Sequence, residues 1–235
     1  MYLVQTALKK DGVIVVNNVR IRMSALMFLQ YFAWGSWYVT LGTFLSYLGF
    51  DGLNIGDVFS ASAWAALFSP IFVGMIADRY FSAQKILCIL YFFSGCALFW
   101  TSTQTHPNTF FSSLLVTMAC YMPTVSLSNS VCFYHLSNPS IMFPKIRLFG
   151  TIGWIVAGLL VGTLAIENKV YPMWIGVSTL FFLSIYSLFL PETPPRVKET
   201  VTKLKDMFGF EALELLSDRS FLVFAVASML LTIPL

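Results

Sequence analysis

Arg147, Thr151 and Trp154 stand at positions i, i+4 and i+7, a spacing that stacks side chains along one face of an α-helix. A guanidinium offers a planar fork of donors, a hydroxyl both donates and accepts, and an indole offers a flat face. The three residues lie in and beside a long apolar run, and an arginine in a membrane helix is costly unless it snorkels to the interface or faces a wet cavity. Arg147 stands near one end of its run, so its sequence position fits both roles. Gly158 and Gly162 roughly continue the stripe, where small residues predict close packing against another helix.

Two further groups could carry polar chemistry. Gln30, Trp34 and Trp37 share the same spacing on an earlier apolar run. Away from water, the Gln30 amide needs a partner, either another helix or a ligand. Tyr121, Thr124, Ser128 and Asn129 cluster on a third run, where Pro123 frees a backbone carbonyl and can bend the helix. Helix-to-helix hydrogen bonds suit the serines, while Gln30 and Asn129 are also candidates for lining a cavity. No phosphate loop, zinc pattern or nucleophile motif is present, so an enzyme and a bound cofactor are not expected. The four cysteines, Cys88, Cys96, Cys120 and Cys132, fall within apolar runs without metal-ligand spacing and are expected to pack as small hydrophobes.

The elements that must position these groups are membrane helices. Hydrophobic residues make up 57% of the chain and charged residues 11%, with a mean hydropathy of +0.77; a soluble domain carries roughly 25% charged residues. Apolar spans are predicted over 25–48, 55–77, 86–102, 110–134, 148–166 and 171–190, each near the roughly 20 residues that cross a bilayer as a helix. Barrel strands would instead show alternating segments of about ten residues. Residues 1–22 read as a mixed tail without fixed order, 23–190 as a six-helix bundle, and 191–220 as a linker. In the linker, Pro191, Pro194 and Pro195 stop the sixth helix, and the stretch 207–216 has the composition of an amphipathic or solvated helix. Residues 221–235 read as a seventh helix cut short of a full span.

Basic residues set the expected orientation. Thirteen of the fourteen, from Lys9 to Arg219, fall in alternate connections on one side, and only Lys169 falls on the other. Lysine and arginine accumulate on the cytoplasmic side, which predicts a cytoplasmic amino terminus and a cytoplasmic linker. The net charge of +3 forms no patch or stripe, so no nucleic-acid partner is expected. Lys9 and Lys10 precede too short an apolar run for a secretory signal.

Two sets of motifs carry a family resemblance. The connection Gly74-Met75-Ile76-Ala77-Asp78-Arg79-Tyr80-Phe81-Ser82-Ala83-Gln84-Lys85 resembles the cytoplasmic signature of the major facilitator superfamily. That resemblance implies a conformational latch built on Gly74, Asp78, Arg79 and Lys85, in which a carboxylate beside an arginine engages a neighbouring helix end; the alternative is a short polar turn. The segments Phe28-Leu29-Gln30-Tyr31-Phe32-Ala33-Trp34-Gly35-Ser36-Trp37, Ala119-Cys120-Tyr121-Met122-Pro123-Thr124 and Ile146-Arg147-Leu148-Phe149-Gly150-Thr151-Ile152-Gly153-Trp154 resemble the bacterial nucleoside:proton symporters of that superfamily. The implied protein is an all-α integral membrane protein, the six-helix amino-terminal half of a facilitator-superfamily transporter plus the start of helix seven. It would sit in the bacterial inner membrane and take up a nucleoside by alternating access, with the proton as coupling ion.

By the same resemblance Arg147, Thr151 and Trp154 contact the nucleoside, with tryptophan here where a family example has phenylalanine; Gln30 and Asn129 join them as candidates on their own need for hydrogen-bond partners. The 17% aromatic content suits stacking on a base, worth roughly 1–3 kcal/mol in nucleic-acid complexes, although aromatic residues also collect at membrane interfaces. Asp57 and Glu167 lie near span ends, and the family's proton-coupling acids belong to the second half, beyond Leu235. That missing half is expected to be needed for transport. Rival readings are a carrier of another small solute such as a sugar, and an inactive truncated fragment.

Overall fold

The computed structural model describes the backbone of residues 2–79, 81–194, 218 and 222–223, with side chains for 19–69, 73, 81–194, 218, 222 and 223. Two compact units emerge, Met1–Pro195 and Arg196–Leu235. In the second, the amide of Leu222 donates to the carbonyl of Asp218 at 2.9 Å. The rest of the expected linker and seventh helix lies outside the described residues.

The first unit contains α1 (Tyr2–Tyr38), α2 (Leu41–Tyr47), α3 (Gly52–Arg79), α4 (Ala83–Thr101), α5 (Pro107–His135), α6 (Pro139–Leu164) and α7 (Tyr171–Ser187). The sequence predicts one first span, whereas the structure breaks it between α1 and α2 at Val39 and Thr40, where β-branched residues and the nearby Gly42 lower helix propensity. The six expected spans are therefore present, the first in two pieces. The expected irregular tail has helical backbone from Tyr2, in keeping with a segment free of proline.

A second correction concerns α6, expected from 148 but starting at Pro139. Proline at the first helical position is pre-organised for a helix, and the turns it opens carry Lys145 and Arg147 into the rod. At 1.5 Å per residue, Arg147 lies about 12 Å along the axis from Pro139, rather than at the helix tip.

Helices α4, α5 and α6, with 19, 29 and 26 residues, are long and apolar enough to cross a membrane. Leu87, Leu98, Leu114 and Met118 are buried between helices, while Ile89, Phe92, Phe99 and Trp100 project outward. An exterior this apolar suits lipid. The helices form an open row: α6 packs on α1, α1 on α7, α7 on α4, α4 on α5, and α5 on α3. The row curls enough for α5 to touch α1 and α6 as well.

Missing side chains set the closest approaches. A Cβ at Gly153 would collide with the Phe28 carbonyl, and one at Gly35 would lie 3.1 Å from the Trp154 Cα, so α1 and α6 meet backbone to backbone. Gly176 of α7 similarly receives Trp37, whose Cδ1 would be 2.7 Å from an added Cβ. The expected packing at Gly158 and Gly162 is not found. An added Cβ would meet nothing within 4 Å at Gly158 and only Glu167 Oε1, at 3.9 Å, at Gly162. These glycines lie on an open side of α6, while Ala157 and Val161 on the same turns are fully buried.

After α7 the chain returns beneath the bundle. Thr193 accepts from the Ala83 amide at 3.1 Å, donates its own amide to Gln84 Oε1 at 3.0 Å, and places its hydroxyl 2.9 Å from His135 Nε2. Three bonds thus fix the exit from α7 to α4 and α5.

Candidate functional site

The inner face of α1 carries an aromatic column of Tyr31, Trp34 and Tyr38 at i, i+3 and i+7. Trp34 is its centre. Its ring lies 5.3 Å from that of Trp154, nearly perpendicular at 89°, 5.6 Å from Tyr121 and 5.4 Å from Tyr38. Tyr38 in turn stands edge-on to Phe59 at 5.3 Å. Helices α1, α3, α5 and α6 therefore share one cluster, in the tilted and T-shaped geometries that aromatic quadrupoles favour.

Arg147 closes one end of the column. Its Cζ sits 4.1 Å from the Tyr31 ring centroid, a cation–π contact worth about 0.5–2 kcal/mol depending on desolvation. No carboxylate pairs with it among the described residues. The contact depends on Gly150, where an added Cβ would lie 2.8 Å from Tyr31 Cδ2 and 3.2 Å from Arg147 Nη1. The guanidinium is thus oriented by a ring that leaves its hydrogen-bonding fork unneutralised.

One turn further along α6, Thr151 is exposed and its hydroxyl makes no hydrogen bond. Thr163 on the same helix behaves differently, donating back to the Leu159 carbonyl at 2.8 Å, the usual way a mid-helix hydroxyl satisfies itself. Trp154 is half-buried. The stripe read from sequence is therefore assembled, with a held cation, an open hydroxyl and an indole fixed by Trp34.

Gln30 occupies a different place. It is 0% exposed; its Nε2 donates to Thr124 Oγ1 at 3.1 Å and its Oε1 accepts from Ser128 at 2.7 Å. Tyr121 donates to the Gln30 backbone carbonyl at 2.7 Å. The side chain ties α1 to α5 beneath the aromatic column. Asn129 stands next to this network, half-buried, with a buried Oδ1 that has no hydrogen-bond partner. Trp37 leaves the proposed stripe with Gln30 and Trp34, because it is 3% exposed and packs at Gly176 on α7. The half-buried aromatic column is rotated from the predicted stripe, to Tyr31, Trp34 and Tyr38.

Sequence reasoning did not single out Tyr31, Tyr38, Phe59 or Gly150. The spacing of Tyr31, Trp34 and Tyr38 was a usable signal, but Phe59 and Gly150 acquire meaning only through tertiary contact. For the expected latch, Gly74, Asp78 and Arg79 lie in the last turns of α3 with side chains outside the described residues, and Lys85 is exposed in the first turn of α4.

The sequence model of the family described as Nucleoside H+ symporter matches residues 17–235. In Escherichia coli (strain K12), the putative nucleoside transporter YegT is 40% identical over 91% of this chain and 52% of that protein. The xanthosine permease is 35% identical over 91% and 52%, and the nucleoside permease NupG 33% identical over the same shares. The crystal structure of the nucleoside transporter NupG superposes with a TM-score of 0.77 at 32% identity, covering 91% of this chain and 54% of that one. The peptide transporter POT, at 13% identity and a TM-score of 0.65, shares the fold alone. The chain spans about half the length of the curated relatives it matches. It is a multi-pass membrane protein with the helical fold of the major facilitator superfamily, and it belongs to the Nucleoside H+ symporter family.

Proposed function

We propose that the chain supplies one wall of a carrier that takes up nucleosides with protons across a bacterial inner membrane, its amino terminus and the linker after Leu190 facing the cytoplasm. The observation that supports this most is the fork of Arg147, held against Tyr31 at 4.1 Å without a carboxylate, on one face with exposed Thr151 and half-buried Trp154. A nucleoside offers a flat base and a hydroxylated sugar. The indole would stack on the base, the guanidinium would donate to carbonyl or hydroxyl oxygens, and Thr151 would complete the sugar contacts. Trp34 holds the Trp154 ring edge-on, so the stacking surface needs little ordering when substrate arrives.

The site supplies no proton carrier of its own among the described residues, and the coupling acid would come from the half of the relatives that this chain does not span. Alternating access would rock that half against this one, with Gly74, Asp78, Arg79 and Lys85 latching one side of the membrane.

Arg147→Lys tests the reading in the complete transporter. Lysine preserves charge and snorkelling but loses the planar fork, so nucleoside affinity measured by calorimetry should fall by about tenfold, as expected for about 1.5 kcal/mol of charge-assisted bonding. Affinity equal to wild type would make Arg147 a topological anchor and sink the assignment. A competition panel of nucleosides and sugars in uptake assays separates the nucleoside reading from that of a sugar carrier.

A further inference from the structure

A second stripe on α6 faces away from the substrate wall. Lys145, Phe149 and Ile152 repeat the i, i+4, i+7 spacing two residues out of step with Arg147, Thr151 and Trp154, a rotation of about 160–200° around the helix. Between this stripe and α1 lie two adjoining cavities. One, of about 240 Å³, is lined by Arg20, Ser24, Lys145 and Phe149 among others. The second, of about 600 Å³, shares Arg20, Ser24 and Phe149 and continues along Phe28 and Ile152.

We propose that this groove binds an anionic phospholipid, with its phosphate held by Arg20 and Lys145 and an acyl chain lying along Phe28, Phe149 and Ile152. Three observations support the assignment. Neither cation has a hydrogen bond or ion pair among the described residues, and Arg20 Nε is buried with no acceptor; a buried donor left unsatisfied is costly. Neighbouring Arg22 is turned elsewhere, donating from Nη1 to the Phe189 carbonyl at 2.9 Å, which leaves Arg20 and Lys145 as the two cations of the groove. The chemistry is also graded along the groove, basic at one end and apolar beyond, as in a phospholipid, and basic pockets between membrane helices are where anionic headgroups bind.

The groove between α3 and α5 provides an internal contrast. It encloses about 540 Å³ and is lined by Trp64, Phe68, Phe111 and other residues without a charge. Lipid chains can occupy it, but it has no means of selecting a headgroup. Headgroup selectivity should therefore reside at Arg20 and Lys145.

The complete transporter, purified and delipidated, would be titrated with dioleoyl phosphatidylglycerol or dioleoyl phosphatidylcholine and followed by native mass spectrometry and thermal melting. Wild type should retain and be stabilised by phosphatidylglycerol and discriminate against phosphatidylcholine. Arg20→Gln and Lys145→Gln should each weaken phosphatidylglycerol about fivefold, and the pair about thirtyfold, from the attraction of one basic residue at an anionic surface. Ala25 also lines the larger cavity, and Ala25→Phe, which fills it, should weaken both lipids at this site. Equal retention of the two lipids by wild type would overturn the proposal, as would wild-type phosphatidylglycerol affinity in the double variant. Failure of wild type to bind either lipid would show that another part of the protein covers the groove, and would also overturn it.

Discussion

Gln30→Leu separates a residue that holds helices together from one that touches substrate. The substitution removes two side-chain bonds between α1 and α5, from Gln30 Nε2 to Thr124 at 3.1 Å and from Ser128 to Gln30 Oε1 at 2.7 Å. It strands no donor: Thr124 still donates to the Tyr121 carbonyl at 2.6 Å, and Ser128 to the Thr124 carbonyl at 2.8 Å. The bond from Tyr121 reaches the backbone of residue 30 and survives. Interhelical bonds in membranes average about 0.6 kcal/mol and reach about 1.7, so two of them give a loss of about 1–2 kcal/mol. For a domain of this size the melting temperature should fall by about 2–8 °C. Nucleoside affinity by calorimetry should change by less than about threefold, since the amide is buried behind the aromatic column. A fall in affinity of about tenfold or more, with melting unchanged, would place Gln30 in contact with substrate and refute the argument.

Tyr31→Leu removes the face beneath Arg147 while Tyr31→Phe keeps it; the leucine variant should lose about two- to thirtyfold in nucleoside affinity on the scale of a cation–π contact, and phenylalanine should restore most of it. Gly153→Val would drive α1 and α6 apart at the Phe28 carbonyl, and should cost about 1–3 kcal/mol in thermal stability from overpacking; wild-type melting would show that the approach is less tight than described. Single cysteines near Lys203 and Lys169 should label from opposite sides of intact cells, the latter from outside, as basic-residue segregation implies. Labelling from outside near Lys203 but not near Lys169 would overturn the topology.

Much of the architecture was legible because apolar length is a strong signal. The runs later occupied by α4, α5 and α7 were identified to within a few residues, since turn residues bound them. The start of α6 was misjudged because Lys145 and Arg147 interrupt the apolar count, while Pro139 acts through backbone geometry that hydropathy does not register. The stripe of Arg147, Thr151 and Trp154 follows from helical period alone. Its supports do not: Gly150 and Gly153 matter for what another helix places against them, and two similar tryptophans, Trp34 and Trp37, take different neighbours according to how α1 is rotated. The same ambiguity affected Gln30, whose need for a partner was legible while the identity of that partner was not.

The bonds at Thr193 have a consequence for whatever chain follows. A connection hanging free from the end of α7 at Leu188 would begin its excursion there, but one anchored at Thr193 begins five residues later and loses about 17 Å of reach at full extension. Shortening a tether raises the effective concentration at which its far end meets the body that holds its near end. Thr193 therefore sets where that tether starts, and acts through chain entropy alone.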